Sequence, residues 1–246
     1  MLIKTAIAVG KVAGKALSSL LYPPRCEICA RTVGDEDYLC IECEKTAAKV
    51  EKPCCSVCSQ PFQGAIEGGF ICAGCQERKP HFQCAVAPYL SRGIVRELIH
   101  RFKYRNEFHL RHQLGRWLCA GFQDERLSLL RADMIVPVPL HPVRYREREF
   151  NQAEELARLA SKKTGISFCN ALERLRYTTS QTRFDREERM ENLRNAFGIR
   201  KNTVVRGKRL ILIDDVLTTG STLDECARTL HTAGAGSIRA LTVARG

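Results

Sequence analysis

Residues 210 to 222 constrain the fold of this chain more than any other segment. They read Leu-Ile-Leu-Ile-Asp-Asp-Val-Leu-Thr-Thr-Gly-Ser-Thr. The four leading apolar residues predict a strand that is buried on both faces, as in a parallel sheet. Apolar residues then recur at helical spacing from residue 223 to residue 230, and Thr222 with Glu225 fits a capping box. Strand, acidic pair, hydroxyl-rich turn and helix predict a ligand site at the carboxyl end of a strand in an open α/β sheet.

The residue types in this turn match the chemistry of a phosphorylated sugar. Backbone N–H groups, Thr and Ser hydroxyls and the positive end of the following helix can surround a phosphate. Gly220 lets the backbone approach that phosphate without a Cβ clash. Carboxylates repel phosphate, so Asp214 and Asp215 must face another group, and the hydroxyls of a ribose diol can donate to them. The segment therefore predicts a site for a sugar that carries a 5-phosphate.

The segment also resembles the phosphoribosyl-diphosphate (PRPP) motif of type I phosphoribosyltransferases, a strand ending in two acids and a Thr-rich, Gly-containing loop. The resemblance implies that Asp214 and Asp215 are catalytic and contact the ribose hydroxyls. A P-loop is excluded because its nearest match, residues 10 to 16, is one residue short and ends in alanine. The resemblance further implies that five residues bind the 5-phosphate of PRPP: Thr218, Thr219, Gly220, Ser221 and Thr222.

Eight of the 13 cysteines form four C-x-x-C pairs. Each pair offers two thiolates to one tetrahedral ion, so the spacing predicts two structural zinc sites rather than a disulfide framework. It leaves open whether the pairs combine in sequence or interleave, and whether Cys54 competes as a ligand. The expected zinc ligands are Cys26, Cys29, Cys40 and Cys43 in one set and Cys55, Cys58, Cys72 and Cys75 in the other.

The chain divides into three expected parts. Residues 1 to 24 predict a basic amphipathic helix, which is too interrupted to span a bilayer, so we expect no transmembrane segment. The pattern favours docking of this helix onto its own protein, and resting on a membrane surface is the alternative. A double zinc ribbon is expected at 25 to 80 and a phosphoribosyltransferase-like domain at 83 to 246. Zinc thiolates place the chain in a reducing cytoplasm.

Strand and helix patterns alternate after the cysteine-rich module. This alternation predicts an α/β fold with a parallel sheet flanked by helices. Residues 176 to 207 lack clean periodicity and predict a long functional loop. The expected strands are 83–90, 134–140, 210–213 and 238–243, and the expected helices are 93–105, 108–122, 151–163 and 222–233.

The net charge of +12 favours polyanionic partners such as a diphosphate, nucleic acid or an anionic membrane surface. The basic surplus is concentrated in residues 96 to 116 and 173 to 209. A solvated basic face is the alternative. Arginines also follow the strand at 134–140, and their guanidinium groups bind phosphate bidentately. This predicts a pyrophosphate site that contains Leu140, His141, Arg144 and Arg148.

Further motifs narrow the resemblance to the ComF family (competence protein ComFC-like). They are Pro-Pro-Arg-Cys, the C-x-x-C pairs, Phe-Lys-Tyr at 102–104, Val-Pro-Val-Pro-Leu-His-Pro at 136–142, Phe-Asn-Gln at 150–152 and Ser-Gln-Thr at 180–182. The resemblance implies a type I phosphoribosyltransferase fold, PRPP bound with Mg²⁺, and a link to uptake of single-stranded DNA by the competence machinery at the inner membrane. It also implies a closing loop that contains Gln181, Thr182 and Arg189.

The chain departs from the family pattern at three places. Glu149 and Asn106 stand where the family commonly has glycine, and Arg183 with Phe184 replaces a usual Gly-Leu. These differences bear on loop flexibility and leave the PRPP motif untouched.

Two functions remain open from the sequence. The first is an enzyme of the pentosyl glycosyltransferase class that transfers phosphoribose from PRPP to an unidentified acceptor. The second is a non-catalytic protein that handles single-stranded DNA or senses PRPP, for which Trp117 and Tyr104 near the basic helices would supply stacking surfaces.

Overall fold

The computed structural model describes residues 23–35, 37–64, 69–129, 131–176 and 193–246. These residues fall into two compact units whose boundary lies between Ala47 and Ala48. The expected amphipathic helix at 1–24 lies almost wholly outside the described residues. Gln181, Thr182 and Arg189 lie outside them as well. Within the described ranges, no helix is long and apolar enough to cross a membrane.

The first unit is organised around its four cysteines. Its one described helix, α1 (Ile41–Lys45), begins after Cys40, whose sulfur accepts a hydrogen bond from the backbone N–H of Cys43 at 3.4 Å. An antiparallel bridge joins Arg25 to Thr32 across the first C-x-x-C turn. The short elements leave little apolar core, so the thiol cluster is the centre of this unit.

The second unit contains the sheet and its helices. Its helices are α2 (Ala73–Arg78), α3 (Gly93–Tyr104), α4 (Arg111–Ala120), α5 (Glu125–Ser128), α6 (Pro142–Arg148), α7 (Gln152–Thr164) and α8 (Ser221–Thr232). Its strands are β1 (Ala85–Val86), β2 (Tyr89–Leu90), β3 (Met134–Pro137), β4 (Ser167–Phe168), β5 (Leu172–Arg174), β6 (Phe197–Ile199), β7 (Arg209–Leu217) and β8 (Ser237–Arg245).

The main sheet is parallel throughout its described pairs, with the order β1-β8-β7-β3-β4 and β2 also paired with β8. Strand β7 is central, and its residues from Leu210 to Ile213 are buried, as the apolar run predicts. Helix α7 packs on β3 and β7, and its N-cap Asn151 also donates to the carbonyl of Val138 at 3.0 Å. The predicted fold class, a parallel sheet flanked by helices and preceded in sequence by a cysteine-rich module, is confirmed.

Two parts of the expected fold differ from the structure. The expected strand at 83–90 is two short strands, because Pro88 has no N–H with which to continue the ladder. The expected loop at 176–207 contains strand β6, which pairs antiparallel with β5 in a separate two-stranded sheet. Each strand is three residues long, too short for a periodic pattern.

Trp117 is not available as a stacking surface. Its side chain on α4 is 2% exposed and packs on the ring of Tyr89, with 5.0 Å between centroids. The indole belongs to the apolar face of an amphipathic helix. Tyr104, by contrast, is 57% exposed.

Candidate functional site

The acidic pair lies at the carboxyl end of β7, on the sheet edge where parallel α/β folds bind ligands. Successive strand residues point to opposite faces, so Asp214 and Asp215 leave the strand on different sides. The Asp215 side chain is 9% exposed, and its Oδ2 atom lies 2.7 Å from Nζ of Lys103 on α3. Asp214 is half-buried, and its Oδ1 atom accepts from the backbone N–H of Asp215 at 2.9 Å.

The pKa of the Asp214 carboxyl is shifted from its ordinary value. Burial, followed by repulsion from the Asp215 carboxylate, raises the pKa of Asp214 to about 7. The positive charges of Lys103 and Arg174 act in the opposite direction. An acid that ionises near neutral pH beside a paired carboxylate is typical of a functional site.

The loop after β7 forms a cradle at the N-terminus of α8. Gly220 is the N-cap residue and has a φ of +81°, a left-handed conformation that favours glycine. The hydroxyl oxygens of Thr219 and Ser221 lie 3.0 Å apart, and the N–H of Ser221 donates to the Thr219 hydroxyl at 3.4 Å. The first N–H groups of a helix have no intrahelical partner, so this loop offers donors to an anion. Thr218 is exposed, and Thr222 is half-buried in the first turn of α8.

The expected capping box between Thr222 and Glu225 is wrong. The helix begins one residue earlier, at Ser221, and its N-cap is a glycine without a side chain. The Glu225 carboxylate instead accepts from the guanidinium of Arg228 at 2.6 Å and from the backbone N–H of Asn195 at 2.7 Å. The acid is therefore used to hold the segment before β6.

Positive side chains from outside the loop hold its backbone. Nη1 of Arg245 donates to the carbonyl oxygens of Leu217 at 2.9 Å and Thr218 at 2.7 Å. Nη1 of Arg78 donates to the carbonyl oxygen of Thr219 at 3.3 Å. These arginines therefore hold the loop through its backbone carbonyl oxygens.

The predicted pyrophosphate residues lie between β3 and α7. Leu140 is half-buried, and His141 is the N-cap of α6, where its Nδ1 atom accepts from the N–H of Val143 at 3.2 Å. Burial, and then the charges of Arg174 and Arg146, lower the pKa of His141 below its usual range. A neutral imidazole at this position is consistent with its acceptor role.

The two predicted pyrophosphate arginines make contacts with protein groups. Arg144 lies 3.6 Å from the carboxylate of Glu147. Arg148 donates to Oε1 of Gln152 at 3.1 Å and to the hydroxyl of Tyr104 at 3.3 Å. The Nε atom of Arg148 is buried and has no hydrogen-bond partner among the described residues.

Two basic residues near the acidic pair were not predicted as site residues. Lys103 belongs to the Phe-Lys-Tyr motif and pairs with Asp215, so the motif itself was the signal. Arg174 is on β5 and acts electrostatically on both Asp214 and His141. Its only sequence signal was its place in the basic surplus after residue 173.

Both glycine departures fall where the backbone is left-handed. Glu149 has a φ of +64° and Asn106 a φ of +53°. Glu149 is the C-cap of α6, directly before the Phe-Asn-Gln motif. Glycine adopts this conformation without strain, whereas for glutamate it costs about 1–2 kcal/mol.

The cysteines form two clusters that combine in sequence. In each set of four, Cys26/Cys29/Cys40/Cys43 and Cys55/Cys58/Cys72/Cys75, all sulfur atoms lie within 4.8 Å of one another. Sulfurs from different C-x-x-C pairs, Cys29 with Cys40 and Cys58 with Cys72, are 3.6 Å apart. A tetrahedral zinc ion with Zn–S bonds of about 2.3 Å requires sulfurs about 3.8 Å apart. Both clusters therefore fit zinc, and the interleaved pairing is excluded.

In the second cluster the pKa of the Cys55 thiol is lowered, whereas the pKa values of Cys58 and Cys75 are raised. A hydrogen bond from Cys58, opposed by burial, is the main cause that lowers the pKa of Cys55 to about 4. The backbone N–H of Cys72 donates to the Cys55 sulfur at 3.3 Å. Cys54 belongs to neither cluster of the described residues, and burial raises the pKa of its thiol.

Two domain models match this chain. Residues 17–76 match the double zinc ribbon domain, and residues 137–246 match the phosphoribosyl transferase domain. The first range includes both cysteine clusters, and the second begins at the end of β3 and includes the acidic pair and the phosphate loop.

Curated relatives share nearly their whole length with the chain. Competence protein F of Haemophilus influenzae is 31% identical over 84% of this chain and 90% of that protein. DNA utilization protein YhgH of Escherichia coli is 30% identical over 92% of this chain and 99% of that protein. Competence protein ComFC of Streptococcus pneumoniae is 28% identical over 86% of this chain and 89% of that protein. With both domains in the same order and identity along nearly the full length, this chain belongs to the ComF family.

Proposed function

We propose that this chain binds PRPP with Mg²⁺ at the end of β7 and transfers its phosphoribosyl group to an acceptor, with release of pyrophosphate. One observation carries the proposal. A left-handed Gly220 opens α8 directly after two acids that end a central parallel strand, so a phosphate cradle and a carboxylate pair adjoin each other. A pentose 5-phosphate needs both of these features within one sugar length.

Each part of the site has a distinct role in this proposal. The loop from residue 218 to residue 222 holds the 5-phosphate through backbone N–H groups, hydroxyls and the helix dipole. Asp214 and Asp215 accept hydrogen bonds from the ribose hydroxyls and favour positive charge at C1. His141, Arg144 and Arg148 hold the pyrophosphate, the two arginines through their guanidinium groups.

The transfer proceeds by exchange of one bond at C1. The C1–O bond to pyrophosphate breaks with its electron pair on the leaving oxygen, and the acceptor nucleophile forms the new bond. The proton that the acceptor loses passes to water or to the leaving group. When bound, Mg²⁺ supplies charge neutralisation on the pyrophosphate, and the carboxylates of Asp214 and Asp215 are the groups that would hold its waters.

Calorimetry with PRPP and Mg²⁺ tests the binding step. We expect the wild-type chain to bind PRPP saturably. The affinity should fall about tenfold or more in Asp214→Asn and in Asp215→Asn, because each variant loses a charged acceptor. Asp133→Asn is the matched control, since Asp133 pairs with Arg209 at the opposite end of the sheet. Equal affinity in the double variant Asp214→Asn/Asp215→Asn and the wild type would refute the assignment.

Pyrophosphate release in the presence of a panel of nucleobases and amines tests the transfer step. At least one acceptor should stimulate release by the wild type and not by Asp215→Asn. Binding of PRPP without release of pyrophosphate for any acceptor would contradict the transferase activity. That result would favour the alternative of a PRPP sensor.

A second function is favoured by the surface formed by α3 and α6. Tyr104 and Tyr145 are 57% and 49% exposed, and the guanidinium of Arg148 lies 5.0 Å from the Tyr104 ring centroid. Aromatic faces among arginines bind single-stranded nucleic acid by stacking and phosphate contacts. We expect Tyr104→Ala to lower affinity for a single-stranded oligonucleotide and affinity to fall steeply with salt. Affinity that stays flat with salt would exclude this function.

The relatives and the thiols support a proposal for the cellular setting. We propose a cytoplasmic protein that works in competence or DNA utilization, with the helix expected at residues 1–24 as its contact to the inner membrane. The proposed boundaries are 25–80 for the double zinc ribbon and 83–246 for the phosphoribosyltransferase-like domain. Fractionation with and without residues 1–24 tests the membrane contact.

A further inference from the structure

The second cysteine cluster and the phosphate loop line the same cleft. Cys58, Cys75 and Arg78 line one wall, and Thr219 and Ser221 line the other. The cluster is therefore next to the loop that the proposed function assigns to the 5-phosphate.

Arg78 connects the two walls. It is the last residue of α2, the short helix that contains Cys75. Its Nε atom donates to the carbonyl oxygen of Gly74 at 2.8 Å, and its Nη1 atom donates to the carbonyl oxygen of Thr219 at 3.3 Å. The planar guanidinium keeps its donors in a rigid fork, so one side chain fixes two backbone segments relative to each other.

The bond to Thr219 fixes one particular peptide plane. In a trans peptide the C=O of one residue and the N–H of the next point in opposite directions. Because the Thr219 carbonyl points to Arg78, the N–H of Gly220 points away from Arg78. Gly220 is the residue with freedom to rotate here, since its φ of +81° and lack of Cβ permit several orientations.

A second contact joins the segment that follows Cys75 to the start of α8. The backbone N–H of His81 donates to Oδ1 of Asp224 at 2.7 Å, and its ring Nδ1 atom lies 3.0 Å from the same oxygen. Arg78 and His81 both follow Cys75 closely. The segment after the second cluster thus contacts the loop through the Arg78 side chain and contacts α8 through His81.

We infer that Arg78 is a positioning residue for the phosphate loop and makes 5-phosphate affinity depend on the second cysteine cluster. The metal fixes α2, α2 fixes the guanidinium, and the guanidinium orients the Gly220 N–H. The inference rests on the proposed function, because it deepens the role of the same loop.

The experiment measures binding of two probes, ribose 5-phosphate and inorganic pyrophosphate with Mg²⁺. Arg78→Met removes the fork but keeps an unbranched apolar stem. We expect it to lose about tenfold in affinity for ribose 5-phosphate and to keep its pyrophosphate affinity within about twofold. Arg78→Lys should recover part of the loss, since an ammonium can still donate to Thr219. Arg31→Met is the control, because Arg31 pairs with Glu42 beside the first cluster.

The outcomes separate the inference from the proposed function. Wild-type binding with an unchanged Arg78→Met affinity for ribose 5-phosphate overturns the inference alone. Equal loss of both probes in Arg78→Met also overturns it, because that result indicates general damage. A wild-type chain that binds neither probe overturns the proposed function and the inference together.

Coupling between two binding sites is reciprocal, so zinc retention gives a readout that does not depend on catalysis. If metal in the second cluster favours ribose 5-phosphate, the sugar must favour the metal by the same factor. In competition with a chelator, ribose 5-phosphate should increase retention of one zinc ion in the wild type and of none in Arg78→Met. Equal retention with and without the sugar in the wild type overturns the dependence on the cluster.

Discussion

Lys103 Nζ lies 2.7 Å from Oδ2 of Asp215, and the two side chains are 20% and 9% exposed. The ammonium neutralises one of two carboxylates that are adjacent in sequence at the end of the central strand. It also lowers the pKa of Asp214 against the effects of burial and Asp215. Asp214, Asp215 and Lys103 therefore form a triad of two carboxylates and one ammonium. Asp215 keeps lone pairs that can accept a hydrogen bond from a ribose hydroxyl.

This triad predicts strong coupling between Lys103 and Asp215. Lys103→Met should lower the free energy of unfolding by about 2 kcal/mol, because it leaves a buried carboxylate without its counter-charge. The double variant Lys103→Met/Asp215→Asn should cost less than the sum of the single variants by about 1–2 kcal/mol. Urea unfolding at constant pH measures the cycle. Additive single effects would show that the ion pair contributes nothing to stability.

The raised pKa of Asp214 predicts a pH dependence of PRPP binding. With a pKa of about 7, the carboxylate that accepts from the ribose is mostly protonated at pH 6 and mostly ionised at pH 8. Affinity should therefore rise by about tenfold across this interval. Calorimetry on the wild type and Asp214→Asn measures it, and the slope that persists in the variant belongs to the ligand's own phosphates. Parallel pH profiles would contradict the assignment.

The same pKa predicts an effect of opposite sign on stability. Asp214 ionises at higher pH in the folded chain than in the unfolded one, so the unfolded state loses its proton first as pH rises. The folded state consequently loses stability between about pH 4 and pH 7 through this group. Asp214→Asn should remove that component, measured as the difference in unfolding free energy between the variant and the wild type at each pH. A difference that is constant with pH would refute it.

The central strand and its helix were predictable because their signals are local. Residues 210–213 are an apolar run within β7, and the predicted helix at 222–233 differs from α8 by one residue at each end. The clustering of each set of cysteines also followed from spacing, since two thiols per C-x-x-C turn must meet a second pair. In all these cases the partners lie close in sequence or repeat with a period.

The missed features depend on contacts between distant segments. The Phe-Lys-Tyr motif singles out Lys103 but does not indicate Asp215 as its partner, because the two residues meet only in the folded chain. Arg174 likewise reaches the site from β5, a strand without a detectable pattern. The basic neighbours of Trp117 predict a surface residue, but the apolar face of α4 buries it.

The left-handed Glu149 predicts a stabilising substitution. Glu149→Gly should raise the free energy of unfolding by about 0.5–1 kcal/mol, because relief of about 1–2 kcal/mol of strain exceeds the entropic cost of glycine. Glu149→Ala is the control, since alanine removes the carboxylate but keeps the strain. Thermal unfolding of the three chains measures the effect. A gain of equal size in both variants would assign it to charge rather than to the backbone.

The sequential pairing of the cysteines predicts the zinc content of individual variants. The wild-type chain should retain two zinc ions after dialysis, because each cluster supplies four thiolates at tetrahedral spacing. Cys54→Ser should also retain two, whereas Cys43→Ser should retain one after exposure to a moderate chelator. Elemental analysis per mole of chain measures this content, and circular dichroism tests that the larger unit stays folded in Cys43→Ser. Loss of both ions from Cys43→Ser would mean that the clusters bind metal jointly, which their separate sulfur sets exclude.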